Sequence, residues 1–163
     1  MKATDEQITI MVDKYGNMIL RLAYIYFKNS ADAEDAVQEV FLKIVENMPD
    51  FNDESHEKAW IIRATVNVCK NKLKLFWNRN VGSIDDIKEM SDTDKYNEDT
   101  EVLDAVLKLP EKYRTVIHLY YYEEYTTPEI ARLINKNETT VRSLLHRARE
   151  KLKSILKEAY DFE

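Results

Sequence analysis

Between residues 5 and 28 apolar side chains recur every three or four positions. Ile8, Met11, Tyr15, Ile19, Leu22 and Ile25 then share one face of a helix, weakened slightly by Gly16. Asn29-Ser30 breaks the pattern and offers a cap. A second helix runs over 32–48, burying Ala33, Val37, Val40, Phe41, Ile44 and Met48, and Pro49 stops it. Residues 51–57 read as a polar loop, with Ser55 as a cap for a third long helix over about 56–77, whose core stripe is Ala59, Ile62, Val66, Cys69 and Leu73. From 81 to 100 the periodicity fades into Asp, Glu, Ser and Asn, apart from a short helical signal at 84–90. It resumes at 101–109, with Val102, Val106 and Leu109 as core. Pro110 then opens a helix over 111–124.

The stretch TTPEIARLINKNETTVRSLLHRAREKLK, residues 126–153, carries the sharpest pattern. Thr126 and Glu129 form a T-x-x-E capping box, with Pro128 in the first turn, where its missing N–H costs nothing. Ile130, Ala131, Leu133 and Ile134 supply a buried face. Asn135-Lys136-Asn137 is the turn: Asn tolerates a left-handed backbone, and Asn137 can cap the second helix of the pair. In that helix Val141, Leu145, Ala148, Leu152 and Ile155 form one apolar stripe. Thr139, Arg142, Ser143, His146 and Arg149 lie largely off it. Two short helices, a tight turn and a basic second helix read as a helix-turn-helix, which lays its second helix in the major groove of DNA, although an ordinary helical hairpin with a solvated basic face is the bland alternative. Residues near the start of such a helix meet base edges and later ones meet phosphates. Thr139, Arg142 and Ser143 are therefore assigned to base reading, and Arg147, Arg149, Lys151 and Lys153 mainly to the DNA backbone.

Composition agrees with helices and bounds the rest. The chain has 163 residues, 44% hydrophobic and 33% charged, with only two Gly and three Pro, which argues against a β-rich or disordered chain. The expectation is an all-α protein of two small helical domains: residues 1–79, an acidic linker over 80–100, and residues 101–163. A single cysteine, Cys69, excludes an internal disulfide. No signal peptide or bilayer-spanning run is apparent, so a reduced cytoplasmic protein without membrane insertion is the simplest expectation.

A net charge of −6 looks wrong for a DNA binder until its distribution is read. Residues 58–79 hold six bases and no acid, and residues 139–157 hold six bases and one acid. Between them, residues 85–104 hold nine acids and two lysines. Two basic segments flanking an acidic connector suit a protein that touches DNA at two places.

The third helix adds a second constellation. Arg63, Asn67, Lys70 and Lys74 are spaced four, three and four apart, so they share one face opposite the core stripe, with Trp60 a turn earlier on the same side. An aromatic can stack on an unpaired base, an amide can bond to a base edge, and cations hold phosphates. That combination suits opened single strands better than intact duplex, although a solvated face of snorkelling cations would read the same way. In the second helix, Asp35, Gln38, Glu39 and Leu42 share an outward face suited to a protein partner, or equally to water.

Taken together, DAEDAVQEVFLKI, WIIRATVNVCKNKL and the helix-turn-helix stretch, in this order and around this linker, resemble a bacterial RNA polymerase sigma factor of the sigma-70 family. The resemblance is to the small extracytoplasmic-function class, and it covers nearly all of the chain outside the linker. It implies that the protein binds core RNA polymerase through Asp35, Gln38, Glu39 and Leu42. It implies that Asn67 helps hold a base flipped from the promoter −10 element, in a pocket framed by the loop from Phe51 to Lys58 and by Ala64, while Arg63, Lys70 and Lys74 guide the strand. Trp60 belongs to the same −10 surface. Arg142, Ser143 and Arg147 match positions that contact the −35 element. Thr139, His146, Arg149 and Lys153 complete that surface. The linker would thread through the polymerase near the RNA path, and an anti-sigma factor is an expected partner. Two departures stand out: Leu144 replaces a frequent basic residue, and Asn135-Lys136 replaces the usual glycine turn.

Three rivals set the alternatives. A helix-turn-helix regulator acting without polymerase would have little use for the Arg63–Lys74 face, and an anti-termination or competence-type factor could use the same domains. An enzyme built on Cys69 fits poorly, since Cys69 lies on an apolar stripe and His56, His118 and His146 are scattered. The same scatter offers no metal-ligand spacing, and no cofactor is expected. Tyr120, Tyr121, Tyr122 and Tyr125 are expected to pack the second domain.

Overall fold

The computed structural model describes residues 4–79 and 100–160. The expected acidic linker, except for Thr100, and the helical signal at 84–90 lie outside them. The chain divides into two compact units between Met90 and Ser91. Among the described residues the regular structure is entirely helical.

The first unit packs three helices against one another: α1 (Asp5–Phe27), α2 (Ser30–Asn47) and α3 (Glu54–Arg79). Thr4 and Gln7 form a capping box at the head of α1. Its tail ends on Lys28, in the left-handed region at φ 64°. The Asn29 side chain accepts from the Asp32 N–H at 2.8 Å, so α2 starts two residues earlier than the pattern suggested. Met48, held extended at ψ 119° by the adjoining proline, closes it. Asp53, and not Ser55, caps α3: its carboxylate accepts from the His56 N–H at 2.8 Å. Asp53 wins because it sits three residues before a free helical N–H, whereas Ser55 already lies inside the first turn.

The core of this unit is wider than the single stripes implied. Met11, Tyr15, Ile19 and Leu22 meet Ala33, Ala36, Val40 and Ile44, and Ile61, Ile62, Thr65, Val66, Val68 and Cys69 complete it. Each of Ile61 and Ile62, fully buried, contributes about 1.5–3 kcal/mol by leaving water. Val37, Phe41, Met48, Ala59 and Leu73 are only half-buried, since a helix packed against two neighbours buries two adjoining stripes and leaves its margins partly wet. Polar contacts fix the register of α1 on α3. Lys14 reaches Glu54 at 2.8 Å and Glu57 at 3.0 Å, and the Tyr15 hydroxyl donates to Glu57 at 2.7 Å. Burial, with Glu57 beside it, raises the Tyr15 hydroxyl above its usual range.

The second unit holds α4 (Thr100–Leu107), α5 (Glu111–Ile117), α6 (Thr127–Ile134) and α7 (Glu138–Tyr160). The long α7 is its spine, touched by α4, α5 and α6. Val102 is exposed, against expectation; Ala105, Val106 and Leu109 carry the burial of this first segment. Arg114 is buried and donates from Nη1 to the Leu109 carbonyl at 2.7 Å, satisfying an acceptor where Pro110 interrupts the chain. The expected helix over 111–124 is not a single α-helix. After Ile117 the backbone widens into a π-helical turn over His118–Tyr122, closed by the Glu123 N–H on the His118 carbonyl at 3.1 Å. Such turns carry an extra residue and shift the helical phase. Tyr121 and Tyr122 are consequently exposed rather than packed, while Tyr120 and Tyr125 are half-buried.

Candidate nucleic-acid interfaces

In the first unit the candidate site begins with the loop before α3. Phe51 packs edge-on against His56, with ring centroids 5.4 Å apart, and against Trp60 at 5.8 Å. The Asn52 N–H donates to His56 Nδ1 at 3.2 Å. The loop is thus folded back onto the first two turns of α3 and framed by three rings. Reading by periodicity missed His56; its i, i+4 spacing from Trp60 was the available signal. Further along α3, Arg63, Asn67 and Lys74 are exposed, whereas Lys70, Ala64 and Trp60 are half-buried. The cations and the amide therefore line one solvent-facing strip continuing from the aromatic loop. No acid faces them from α3 itself past Glu57, so the strip is electropositive.

On α2, Asp35, Gln38 and Leu42 point to solvent, and Leu42 keeps 59% of its surface exposed. Glu39 lies at the margin of that face, its side chain 42% exposed. It is half-buried and paired with Lys72 of α3 at 3.2 Å. The two helices pack closely enough there for a turn on the edge of the stripe to reach across.

In the second unit the helix-turn-helix forms as its local chemistry dictates. Thr126 accepts from the Glu129 N–H at 3.3 Å while Glu129 accepts from the Thr126 N–H at 2.8 Å. The Thr126 N–H, with the Thr126 hydroxyl donating to the same carboxylate at 3.0 Å, holds the Glu129 carboxyl below its ordinary value. Asn135 takes the left-handed conformation at φ 58°, ψ 51°, doing what glycine does elsewhere. Asn137 accepts from the Thr140 N–H at 2.8 Å and heads α7. Thr127 donates to the Glu138 carboxylate at 3.0 Å, tying the first residue of α6 to the first of α7.

This leaves one face of α7 turned to solvent. Thr139, Arg142, Ser143, His146, Arg147, Arg149 and Lys153 are all exposed, over a stripe of buried Val141, Leu144, Leu145 and Ala148. Leu144 thus belongs to the core, at 8% exposure. Its apolar character fills space under α7. Arg142 lies 3.9 Å from Glu138, a loose pair that leaves it able to swing. Two of the later cations are engaged with tyrosines. Lys151 sits 5.8 Å from the Tyr113 ring centre. Arg149 Nε–H donates to the Tyr121 hydroxyl at 2.5 Å, and its guanidinium lies 5.4 Å and 5.6 Å from the Tyr120 and Tyr121 rings. Beside them an open cleft of about 450 Å³ is lined by Tyr120, Glu124, Tyr125, Thr126 and Thr127. Burial, with Glu123 and Glu129 nearby, pushes the Tyr125 hydroxyl up to about 12.

Among the described residues no group of His, Cys, Asp and Glu is placed to hold a metal ion, and no helix is long and apolar enough to cross a membrane. Cys69 is fully buried. His118 is buried and stacked on Tyr122, His56 lies against Phe51, and His146 is exposed on α7.

Comparison with known proteins matches residues 11–75 to the sigma-70 region 2 family and residues 99–152 to sigma-70 region 4. The RNA polymerase sigma factor SigV of Bacillus subtilis (strain 168) is 30% identical over 129 residues, covering 78% of each chain. The ECF RNA polymerase sigma factor SigW of the same organism is 28% identical over 173 residues, covering 96% of this chain and 92% of that one. Among solved structures, the sigma factor RpoE from Bartonella quintana, in complex with the anti-sigma factor NepR, superposes with a TM-score of 0.72 at 19% identity. That match covers 91% of this chain and 96% of RpoE, and it shows a shared fold.

Proposed function

The chain belongs to the sigma-70 family of RNA polymerase sigma factors, and from that premise we propose how its two units divide the work of initiation. It is a transcription initiation factor of the extracytoplasmic-function type and not an enzyme. Residues 1–79 act on core polymerase and the −10 element, residues 101–163 act on the −35 element, and the acidic segment over 80–100 joins them. Asp35, Gln38 and Leu42 dock on core polymerase. Glu39 contributes there less than its neighbours, because Lys72 holds it.

Asn67 receives a base flipped from the non-paired strand, in a pocket bordered by Phe51, His56, Trp60 and Ala64. Arg63, Lys70 and Lys74 carry the phosphates on either side. Extruding a base costs a few kcal/mol, which stacking and phosphate contacts must offset. Arg142, Ser143 and Thr139 read base edges of the −35 duplex. His146, Arg147, Arg149 and Lys153 hold its backbone, which makes binding salt-sensitive. The observation that carries this reading is the exposed Asn67, set in a cationic strip that runs out of a three-ring aromatic loop. A regulator working without polymerase needs no such second surface. We place the protein in the cytoplasm, where core polymerase works, and expect an anti-sigma factor to regulate it, as NepR is bound to RpoE in the Bartonella complex.

The test is run-off transcription with core polymerase from the source cells, on a template selected from a randomised promoter pool. Asn67→Ala should abolish permanganate reactivity of the melted strand while duplex binding upstream persists. Arg142→Ala should instead relax the choice of upstream sequence. Normal strand opening by Asn67→Ala removes that residue from the −10 site. Sequence-specific DNA retention by the chain alone favours the regulator.

A further inference from the structure

Arg149 stands on the exposed face of α7 among other cations, yet its side chain is held from the π-helical turn. Its Nε–H is bonded to Tyr121, at 2.5 Å, and its guanidinium lies against two aromatic rings. The two rings meet edge-on, at 4.9 Å and 76°. Consecutive residues of an α-helix point about 100° apart, and so do not ordinarily serve one partner. Here the π-helical turn carries them. A long arginine free in water visits many rotamers, and fixing it costs side-chain entropy.

We propose that Tyr121, assisted by Tyr120, is a positioning residue that holds Arg149 ready for a DNA phosphate; this rests on the reading of α7 as the −35 helix. The geometry suits the task. Tyr121 takes the Nε–H, and the Nη groups at the outer end of the fork remain for the two oxygens of one phosphate. Tyr121 itself is 55% exposed, so its hydroxyl keeps its bond to Arg149 at the surface, where the duplex arrives. The rings also shield one face of the guanidinium from water, which strengthens its charge toward an anion. Arg142, by contrast, lies 3.9 Å from Glu138 in a loose pair, and so stays mobile enough to choose among bases. The second unit thus sorts its arginines: a loose one near the start of α7 for sequence, a clamped one two turns later for register.

The experiment measures the affinity of the polymerase holoenzyme for a selected promoter duplex as a function of salt, with Tyr121→Phe, Arg149→Ala and the double variant. Tyr121→Phe keeps the ring and removes the acceptor. It should weaken binding about threefold, the order expected for one net hydrogen bond. Arg149→Ala should weaken it further and lower the salt slope by about 0.9, the signature of one phosphate lost. In the Arg149→Ala background, Tyr121→Phe should have no effect. An unchanged slope in Arg149→Ala overturns the phosphate role of Arg149 and the positioning with it. A lowered slope there, with Tyr121→Phe indistinguishable from the parent, leaves the −35 reading intact and overturns the positioning alone. Tighter binding by Tyr121→Phe also overturns it, since the tyrosine would then be withholding the arginine. Thermal unfolding of each variant separates these effects from loss of fold.

Discussion

Glu39 of α2 and Lys72 of α3 meet at 3.2 Å, so an acid on the proposed polymerase-docking helix is neutralised by a base on the proposed DNA-binding helix. With the two side chains 42% and 29% exposed, water screens the pair, and it is worth about 0–1 kcal/mol. Lys72→Ala should therefore lower stability by less than about 1 kcal/mol in denaturant unfolding. It should also release Glu39 to the surface and alter affinity for core polymerase more than affinity for DNA. A larger loss in DNA binding than in polymerase binding would place Lys72 in the cationic strip after all.

Gly16 lies inside α1, where its backbone is ordinary helix and an added methyl group would meet nothing closer than a Val12 methyl at 4.0 Å. Gly16→Ala should stabilise the first unit by about 0.5–1 kcal/mol, through the flexibility glycine gives the unfolded chain. A higher urea midpoint with an unchanged slope is the expected reading. A lower midpoint would mean that the methyl does not fit.

Glu129 gives the second unit an acid-sensitive cap. Hydrogen bonds from Thr126 lower its folded pKa. Its contribution is thus complete above the unfolded carboxylate value of about 4.3 and disappears as pH falls through the lower folded value. Glu129→Gln keeps an acceptor but cannot titrate. The gap in stability between parent and variant, tracked by thermal unfolding from pH 7 down to pH 3, should therefore close on the acid side.

Leu144 fills the space under α7. Leu144→Lys, which restores the basic residue frequent at this position in the family pattern, should destabilise the second unit by about 2 kcal/mol or more, by burying an unpaired charge. It should bring no gain in DNA affinity. Tighter promoter binding with an unchanged melting temperature would show that the side chain can turn outward.

Cys69 is fully buried on α3. Maleimide should label the native protein slowly and at the rate of global unfolding, and label it at once in urea. Prompt labelling of the native protein would contradict its place in the core.

The helices and their order were legible in the sequence because amphipathic period, caps and prolines agreed with one another. The capping box at Thr126 and the left-handed Asn135 could be read from local chemistry alone. What escaped depends on contacts across the fold. Ile61, Thr65 and Val68 joined the core because α3 packs against two helices, a fact no single stripe encodes. Glu39 is paired because a lysine thirty-three residues later reaches it. The π-helical turn left no periodic trace: five residues, three of them tyrosine, fit an α-helix as well as a wider one. For the candidate sites, spacing picked out the Arg63–Lys74 strip and the face of α7. It could not show that Phe51 folds back on His56 and Trp60, or that Arg149 is held by tyrosines.

The anchoring of α1 on the first turn of α3 reaches further than packing. Glu57 receives both Lys14 and Tyr15 from more than forty residues upstream, and it lies one position from His56, which supports the aromatic loop. The proposed hold on an extruded base is thus braced from behind by two side chains of α1. On the proposed reading, damage to that brace surfaces as a failure of promoter melting, far from the mutated codon.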